Sequence, residues 1–352
     1  MGRLALAHRR ATIGGMSVCL LVLLRVSIGW HFLYEGLEKY ESLTGAPFRP
    51  AAFWQYASQG PAKLHADRVD DKSFSEPYLT NASGPLRDYF RGLVDDPDGL
   101  KRLDQVQVAA RWDADLKAFT EHYGFSQEQR AKAEEKFNGD KGLKTELKQY
   151  FDDAETKRQI EEYKKKLDEL GDPAKQPKTA FERQRLWQKR RELAGTAQAL
   201  TAPIDRWTEG WHAHLRGLLT DEQKSKLPSE ALVPAATRRD WQVMMALLAI
   251  GGLLIVGLFS RTAALGAAVM LAMFYLSMPP WPGLPENPRA EGHYLYVNKN
   301  LIEMIAALAL ATLPTGRWLG VDALIRGLVT RRLSYWLTGE AEDAPARVPE
   351  KQ

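Results

Sequence analysis

Hydrophobic positions along this chain follow two regimes. Four stretches are apolar almost without interruption: residues 13–37, 241–259, 262–278 and 297–313. Between the first and the second, apolar residues return only at helical spacing, within a background of Lys, Glu, Asp, Gln and Arg. Crossing about 30 Å of hydrocarbon takes roughly 20 apolar residues. The 241–259 stretch meets that requirement without a charge and predicts the clearest membrane helix. The 262–278 stretch is slightly short, follows a tight turn at Ser260-Arg261 and ends at Pro279-Pro280, so the two together predict a membrane hairpin. Residues 13–37 are long enough despite Arg25. The fourth stretch opens on Asn298, Lys299, Asn300 and Glu303 and is the weakest by hydropathy. A basic start (Arg3, Arg9, Arg10) also suits a cleaved signal peptide. No small-residue cleavage site follows it, and Trp30, His31 and Phe32 stand there instead, so the first stretch reads as an uncleaved anchor.

The polar region predicts helices. In 141–170 the apolar positions Leu143, Leu147, Tyr150 and Ala154, then Ile160, Tyr163, Leu167 and Leu170, step by three and four with one slip between 154 and 160. In 181–218 the seam is cleaner: Leu186, Leu193, Ala197, Leu200, Ile204, Trp207, Trp211, Leu215 and Leu218. A turn signal from Gly171-Asp172-Pro173 to Pro177 separates them. The pair is expected to form an antiparallel, coiled-coil-like hairpin, with Pro203 kinking the second helix. Two capping boxes, Ser126–Gln129 and Thr220–Gln223, open short helices; duplication or convergent capping could produce the likeness. Gly84-Pro85 is expected to open a helix with Leu86, Tyr89, Phe90 and Leu93 on its apolar side. Phe53, Trp54 and Tyr56 form a cluster suited either to the membrane interface or to a core. Residues 319–337 predict an amphipathic surface helix with Asp322 as N-cap, and 341–352 a disordered tail.

Composition adds little to this picture until it is divided by region. Overall, 45% apolar and 26% charged residues are ordinary globular values, produced here by a polar insert diluting membrane segments. A net charge of +4, with acids and bases interleaved, gives no reason to expect nucleic acid. The single cysteine, Cys19, lies in the first apolar stretch, so no internal disulfide, CxxC centre or cysteine-based zinc site can form. Basic residues near the span ends favour both termini in the cytoplasm, from Arg3, Arg9, Arg10, Arg261, Arg317, Arg326, Arg331 and Arg332. Lys39, Arg289, Lys299 and above all Arg238-Arg239 count against it. The insert is then extracytoplasmic, on the periplasmic or extracellular side of an inner membrane. Trp241, Trp281, Tyr294 and Tyr296 are expected to form an outer aromatic belt, with Trp318 on the inner side.

No catalytic motif stands out: the chain lacks HExxH, GxSxG and a phosphate-binding glycine loop in a strand–turn–helix setting. The seven histidines are scattered, and His212 and His214 are two apart on a helix, which is poor geometry for one metal. No metal site and no resident cofactor are expected. Ionisable residues inside apolar helices are more informative, because they are costly there. The candidate intramembrane site is Arg25, His31, Glu35, Lys39, Asn300 and Glu303. Arg25, Gly29, Phe32, Gly36 and Lys39 share one helix face, as do Asn300 and Glu303. Such a cluster is either an ion pair that fixes helix register or a polar pocket for a quinone head group or another small ligand.

These residues carry a resemblance. The segment RVSIGWHFLYEGLEKY, with Arg25, Gly29, Phe32, Gly36 and Lys39, resembles the opening span of the DoxX family, which includes the small subunit of thiosulfate:quinone oxidoreductase. The segment from Val297, with Asn300, Glu303 and the Gly316-Arg317 turn leading to Asp322, resembles that family's last span. The resemblance covers the membrane part and implies a four-helix membrane fold associated with quinone-linked redox systems. The large insert departs from the family pattern and leaves the substrate open.

The expectation is therefore an all-α chain: a four-helix transmembrane bundle with an inserted extracytoplasmic helical domain. Its parts are the N-terminus and first span (1–40), the insert (41–239), spans two to four (240–316), the amphipathic helix (317–340) and the tail. The expected function is a subunit of a membrane redox system, with quinone as ligand and a redox protein docked through the insert; whether the chain itself catalyses is open. The alternative is a non-catalytic scaffold whose outer domain docks a partner.

Overall fold

A computed structural model of the chain describes residues 14–70, 72–171, 177–285, 292 and 294–328. Arg3, Arg9, Arg10, Arg289, the turn at 172–176, residues 329–337 of the expected amphipathic helix and the 341–352 tail lie outside them. In chain order the helices are α1 (Gly15–Thr44), α2 (Pro50–Asp67), α3 (Glu76–Thr80), α4 (Arg87–Gly92), α5 (Gln105–Tyr123) and α6 (Gln127–Asn138). They continue with α7 (Leu143–Asp152), α8 (Ala154–Gly171), α9 (Ala180–Gly217), α10 (Asp221–Lys224), α11 (Ala235–Val256), α12 (Ser260–Ser277), α13 (Lys299–Thr312) and α14 (Thr315–Trp318). Among the described residues there is no strand, only an isolated bridge between Tyr294 and Val297. The chain forms two compact units, one of residues 1–37, 246–272 and 300–352, the other of 38–245 and 273–299.

Among the described residues three helices, α1, α11 and α12, are long and apolar enough to cross a membrane. The expected fourth crossing is shorter than its apolar run. The Tyr294–Val297 bridge delays the start of α13 to Lys299, and Pro314 stops it. Its 14 residues cover roughly 21 Å at about 1.5 Å per residue, two-thirds of the hydrocarbon thickness.

In the first unit the helices meet through glycine. The buried face of α1 runs Val22, Arg25, Gly29, Phe32 and Gly36 in steps of three and four, with Ile28 beside Gly29. A Cβ on Gly29 would lie 2.9 Å from the Leu254 Cβ, and one on Gly36 2.9 Å from the Leu248 side chain. Gly251 faces the Leu33 backbone just as closely. The two helices therefore pack backbone to backbone, which only a small-residue face permits. At the turn between α11 and α12, Gly257 adopts φ +67 with Arg25 and Gly320 against it. Asp322 lies in a helical stretch, 321–328, but its side chain does not cap that stretch as expected. It accepts from Phe259 N at 2.8 Å, Ser260 N at 3.1 Å and Ser260 Oγ at 3.0 Å, and so caps the start of α12. Burial raises its pKa, but those donors and the charge of Arg25 outweigh it and hold the carboxyl below its ordinary value.

The second unit holds a helical core around Trp112, Trp211, Phe137, Leu147, Ile204 and Leu215. Trp112 Nε1 donates to Thr208 Oγ1 at 2.9 Å, and Trp211 stacks on Phe137 at 5.5 Å between centroids. The expected hairpin is present as α8 against α9, but its first arm is two helices. The slip in the apolar pattern is a break at Asp153, whose carboxylate caps α8 by accepting from Thr156 N at 2.8 Å. Both capping boxes form, and they clasp each other. Gln129 Nε2 donates to Gln223 Oε1 at 2.8 Å and to Leu218 O at 2.6 Å, while Gln223 Nε2 donates to Tyr123 O at 3.0 Å.

Residues 82–93 differ from expectation. The helix there, α4, buries only Phe90, and Leu86, Tyr89 and Leu93 are exposed. Gly84 does not open it. Ser83 N and Gly84 N instead donate to Ser277 O at the end of α12, and a Cβ on Gly84 would collide with the Leu276 carbonyl. Of the aromatics after α1, Tyr56 is core and Trp54 is exposed.

Candidate functional site

The structure separates the expected polar cluster into two places in the first unit. His31 Nδ1 and Glu303 Oε1 are 2.7 Å apart, joining α1 to α13. The second carboxylate oxygen, Glu303 Oε2, is buried and has no hydrogen-bond partner. Arg25 lies two helical turns away, about 9 Å along the axis at 1.5 Å per residue. It is 2% exposed, beside Gly257, and the carboxylate that acts on it is Asp322. Its Nε and Nη1 are buried without a hydrogen-bond partner. Glu35 and Asn300 are half-buried on α1 and α13. Lys39 belongs to the second unit, where its Nζ stands 5.9 Å above the Phe74 ring. Gly29, Phe32 and Gly36 are packing residues on the buried face of α1. Gly316 lies under Ser260, donating its N–H to Ser260 Oγ at 3.1 Å, and Arg317 is exposed.

Two features of this arrangement have chemical consequences. A buried guanidinium with unanswered N–H groups leaves their desolvation uncompensated, and any acceptor that entered would be bound strongly. A His–carboxylate pair with one free oxygen can relay a proton at a hydrogen-bonded group, because either partner can carry it.

Comparison with family models, curated proteins and solved structures finds no match to this chain.

The second unit contains groups that the sequence did not bring together. Three consecutive residues at the start of α11 each hold a different segment. Arg239 Nη1 donates to Leu93 O at 2.6 Å, and Trp241 Nε1 donates to Tyr56 O at 3.0 Å. Asp240, fully buried, accepts from Ser73 Oγ, Ser75 N, Ser75 Oγ and Arg68 Nη1. One clue lay in the sequence: Arg238-Arg239 ran against the expected charge bias. His212, expected as core or surface, has its Nε2 2.9 Å from Asp115 Oδ2. In the expected belt, Trp281 Nε1 donates to Tyr275 Oη at 2.9 Å, while Tyr294 and Tyr296 are exposed.

Proposed function

We propose that the chain is a DoxX-like integral membrane protein in which α1, α11, α12 and α13 form a four-helix bundle with a polar ligand site. The ligand is the head group of a quinone, and the chain serves as a subunit of a membrane redox system. The observation that carries this reading is Arg25, a buried guanidinium with unanswered donors on a helix apolar enough to cross a membrane. A quinone carbonyl is an acceptor without a charge, and its apolar ring and tail suit the surroundings. The His31–Glu303 pair offers a second hydrogen-bonding point to the same class of ligand. Electrons would come from a partner chain docked on the outer helical domain, with both termini cytoplasmic.

Purified full-length protein should bind ubiquinone or menaquinone analogues saturably. Arg25→Gln should weaken that binding by about tenfold or more, the usual loss for a charged hydrogen bond. Absence of binding, or binding indifferent to Arg25→Gln in a folded variant, sinks the reading. A second reading, a scaffold without ligand, is favoured by the 38-residue α9 and the independent core around it. Crosslinking in native membranes that recovers a partner equally from wild type and Arg25→Gln, with no quinone bound to either, would select it.

A further inference from the structure

The short helix α4 carries two unlike sides. Leu86, Tyr89 and Leu93 follow in steps of three and four and are exposed. Arg87 and Arg91, one turn apart, form the other side. That side meets α9. The Arg87 guanidinium lies 5.8 Å from the centre of the Trp187 ring, and the Arg190 guanidinium 4.9 Å from the same ring. One indole therefore attracts two cations.

The end of α12 fixes where this cluster stands. Ser83 N and Gly84 N donate to the carbonyl of Ser277, the last residue of α12, at 2.7 and 3.1 Å. Arg87 follows Gly84 by three residues, so its Cα lies within about 11 Å of the Gly84 Cα. The first turns of α9 reach the same place. A Cβ on Gly283, six residues past Ser277, would stand 3.0 Å from Arg183 Nε, two turns before Arg190. α12 is long and apolar enough to cross a membrane, and the polar layer outside the hydrocarbon is about 5–7 Å deep on each side. α4 thus starts within reach of the head groups. Its exposed apolar side is a cost in water and none in a membrane interface.

Charge decides the class of head group. Arg87 pairs with Asp88 at 2.8 Å, and Arg91 with Asp98 at 2.6 Å. Among the described residues no carboxylate pairs with Arg190, which is left with the indole. Three guanidiniums thus face two carboxylates, with one positive charge in excess. Burial first, then the like charges of Arg87 and Arg91, pull the Arg190 guanidinium down to about 10, so it is charged at neutral pH and poorly compensated. Arg87 Nε is buried without a hydrogen-bond partner. A lipid phosphodiester brings one negative charge and acceptor oxygens that match guanidinium forks in pairs. A zwitterionic head group also brings a cation, which the arginines repel, whereas an anionic one does not.

We propose that Arg87, Arg91 and Arg190 form a binding site for the phosphodiester of an anionic lipid, with α4 lying in the membrane interface on Leu86, Tyr89 and Leu93. The site requires α12 to cross a membrane. It is independent of the quinone reading, since it uses neither Arg25 nor the His31–Glu303 pair.

The test uses full-length protein in neutral detergent, with native mass spectrometry after addition of phosphatidylglycerol or phosphatidylcholine. Wild type should retain phosphatidylglycerol in preference to phosphatidylcholine. Equimolar glycerophosphoglycerol, the same head group without chains, should not displace it. Arg190→Gln should weaken retention about tenfold, and Arg190→Lys, which keeps the charge and loses the fork, should fall between. Removing Arg190 also relieves repulsion, so without lipid Arg190→Gln should melt at or above the wild-type temperature. A merely structural arginine would lower it. Arg158→Gln, which breaks an exposed pair with Glu155, should retain lipid as wild type does. For α4, a spin label at Tyr89→Cys in the Cys19→Ser background, in phosphatidylglycerol nanodiscs, should be relaxed more by oxygen than by a water-soluble nickel chelate. Equal retention of both lipids, displacement by the chain-free head group, or retention unchanged in Arg190→Gln overturns the proposal. So does a lowered melting temperature of lipid-free Arg190→Gln, or a label open to the nickel chelate, the mark of a face that serves a soluble partner or none.

Discussion

Replacing Asp240 with Ala tests how the start of α11 is held. The carboxylate is fully buried, and the side chain of its ion-pair partner Arg68 is 2% exposed at 3.2 Å. Ser73 Oγ at 2.9 Å, Ser75 Oγ at 2.6 Å and Ser75 N at 3.1 Å donate to the same group. In the variant, Arg68 keeps neutral acceptors, Asp70 O at 2.9 Å and Thr237 Oγ1 at 3.1 Å, but loses its counter-charge. Breaking a buried pair by removing one partner costs about 3–5 kcal/mol. For a unit of this size each kcal/mol lowers the midpoint by about 2–4 °C, so the expected loss is roughly 6–20 °C. Differential scanning of the full-length protein in detergent, with near-ultraviolet circular dichroism following the packed tryptophans, reads it. Asp240→Asn keeps one acceptor oxygen and should cost less. The double change Arg68→Met/Asp240→Leu removes both charges and should recover most of the loss, because an apolar pair of similar volume needs no counter-charge. A shift under about 3 °C for Asp240→Ala, or a double variant less stable than the single, refutes the reasoning.

Other consequences can be measured in the same preparation. Gly36→Val should destabilise the first unit by about 1–3 kcal/mol through overpacking against Leu248, whereas Gly252→Ala, where a Cβ meets open space, should be neutral or slightly stabilising; equal effects would refute the glycine crossing. Asp104 caps α5, and the Gln107 and Val106 N–H bonds hold its carboxyl below the ordinary value near 3.8 despite partial burial. That contribution is present above the ordinary value and is lost as pH falls through the depressed one. Asp104→Ala should therefore cost about 1 kcal/mol at neutral pH and almost nothing below it, as read by urea unfolding at both pH values. Burial, with Asp98 and Asp96 nearby, pushes the Tyr163 phenol up to about 12. Its hydroxyl donates to Asp98 O at 2.6 Å. The ultraviolet difference titration between wild type and Tyr163→Phe should thus show no ionisation near pH 10, and the variant should lose about 1–3 kcal/mol from the orphaned carbonyl.

Legibility in the sequence followed the range of the interaction. Membrane-length helices at α1, α11 and α12 are visible because each is a local run of apolar residues. The α8–α9 hairpin is visible because its period persists for several turns. Even the break at Asp153 was written as a slip in spacing, although a slip alone does not distinguish a break from a drift of the face. Endpoints set by other parts of the chain were not visible. The shortness of α13 depends on the Tyr294–Val297 bridge, and Gly84 serves a carbonyl nearly two hundred residues away. Asp322 looked like a local cap and caps a different helix, because capping chemistry identifies a willing acceptor and not the helix it serves. Of the candidate site, the sequence placed residues on faces but not at depths along paired helices. His31 and Glu303 meet, while Arg25 is two turns away beside Gly257. A pocket in the second unit gathers Arg111, Arg216 and Arg238 from three separated helices, and in the sequence each looks like part of an ordinary solvated face.

The glycine crossing of α1 and α11 joins positions about 220 residues apart, a stretch that takes roughly 10–45 s to synthesise at 5–20 residues per second. During that interval α1 has no partner for the face formed by Gly29, Phe32 and Gly36, and Arg25 lacks both the Gly257 turn and Asp322. A nascent chain of this design therefore passes through a long-lived stage with a charged residue on a lone apolar helix. Its yield in a cell should depend on how long the insertion machinery retains α1, and slowing translation within the intervening region should lower it more than slowing translation after α12.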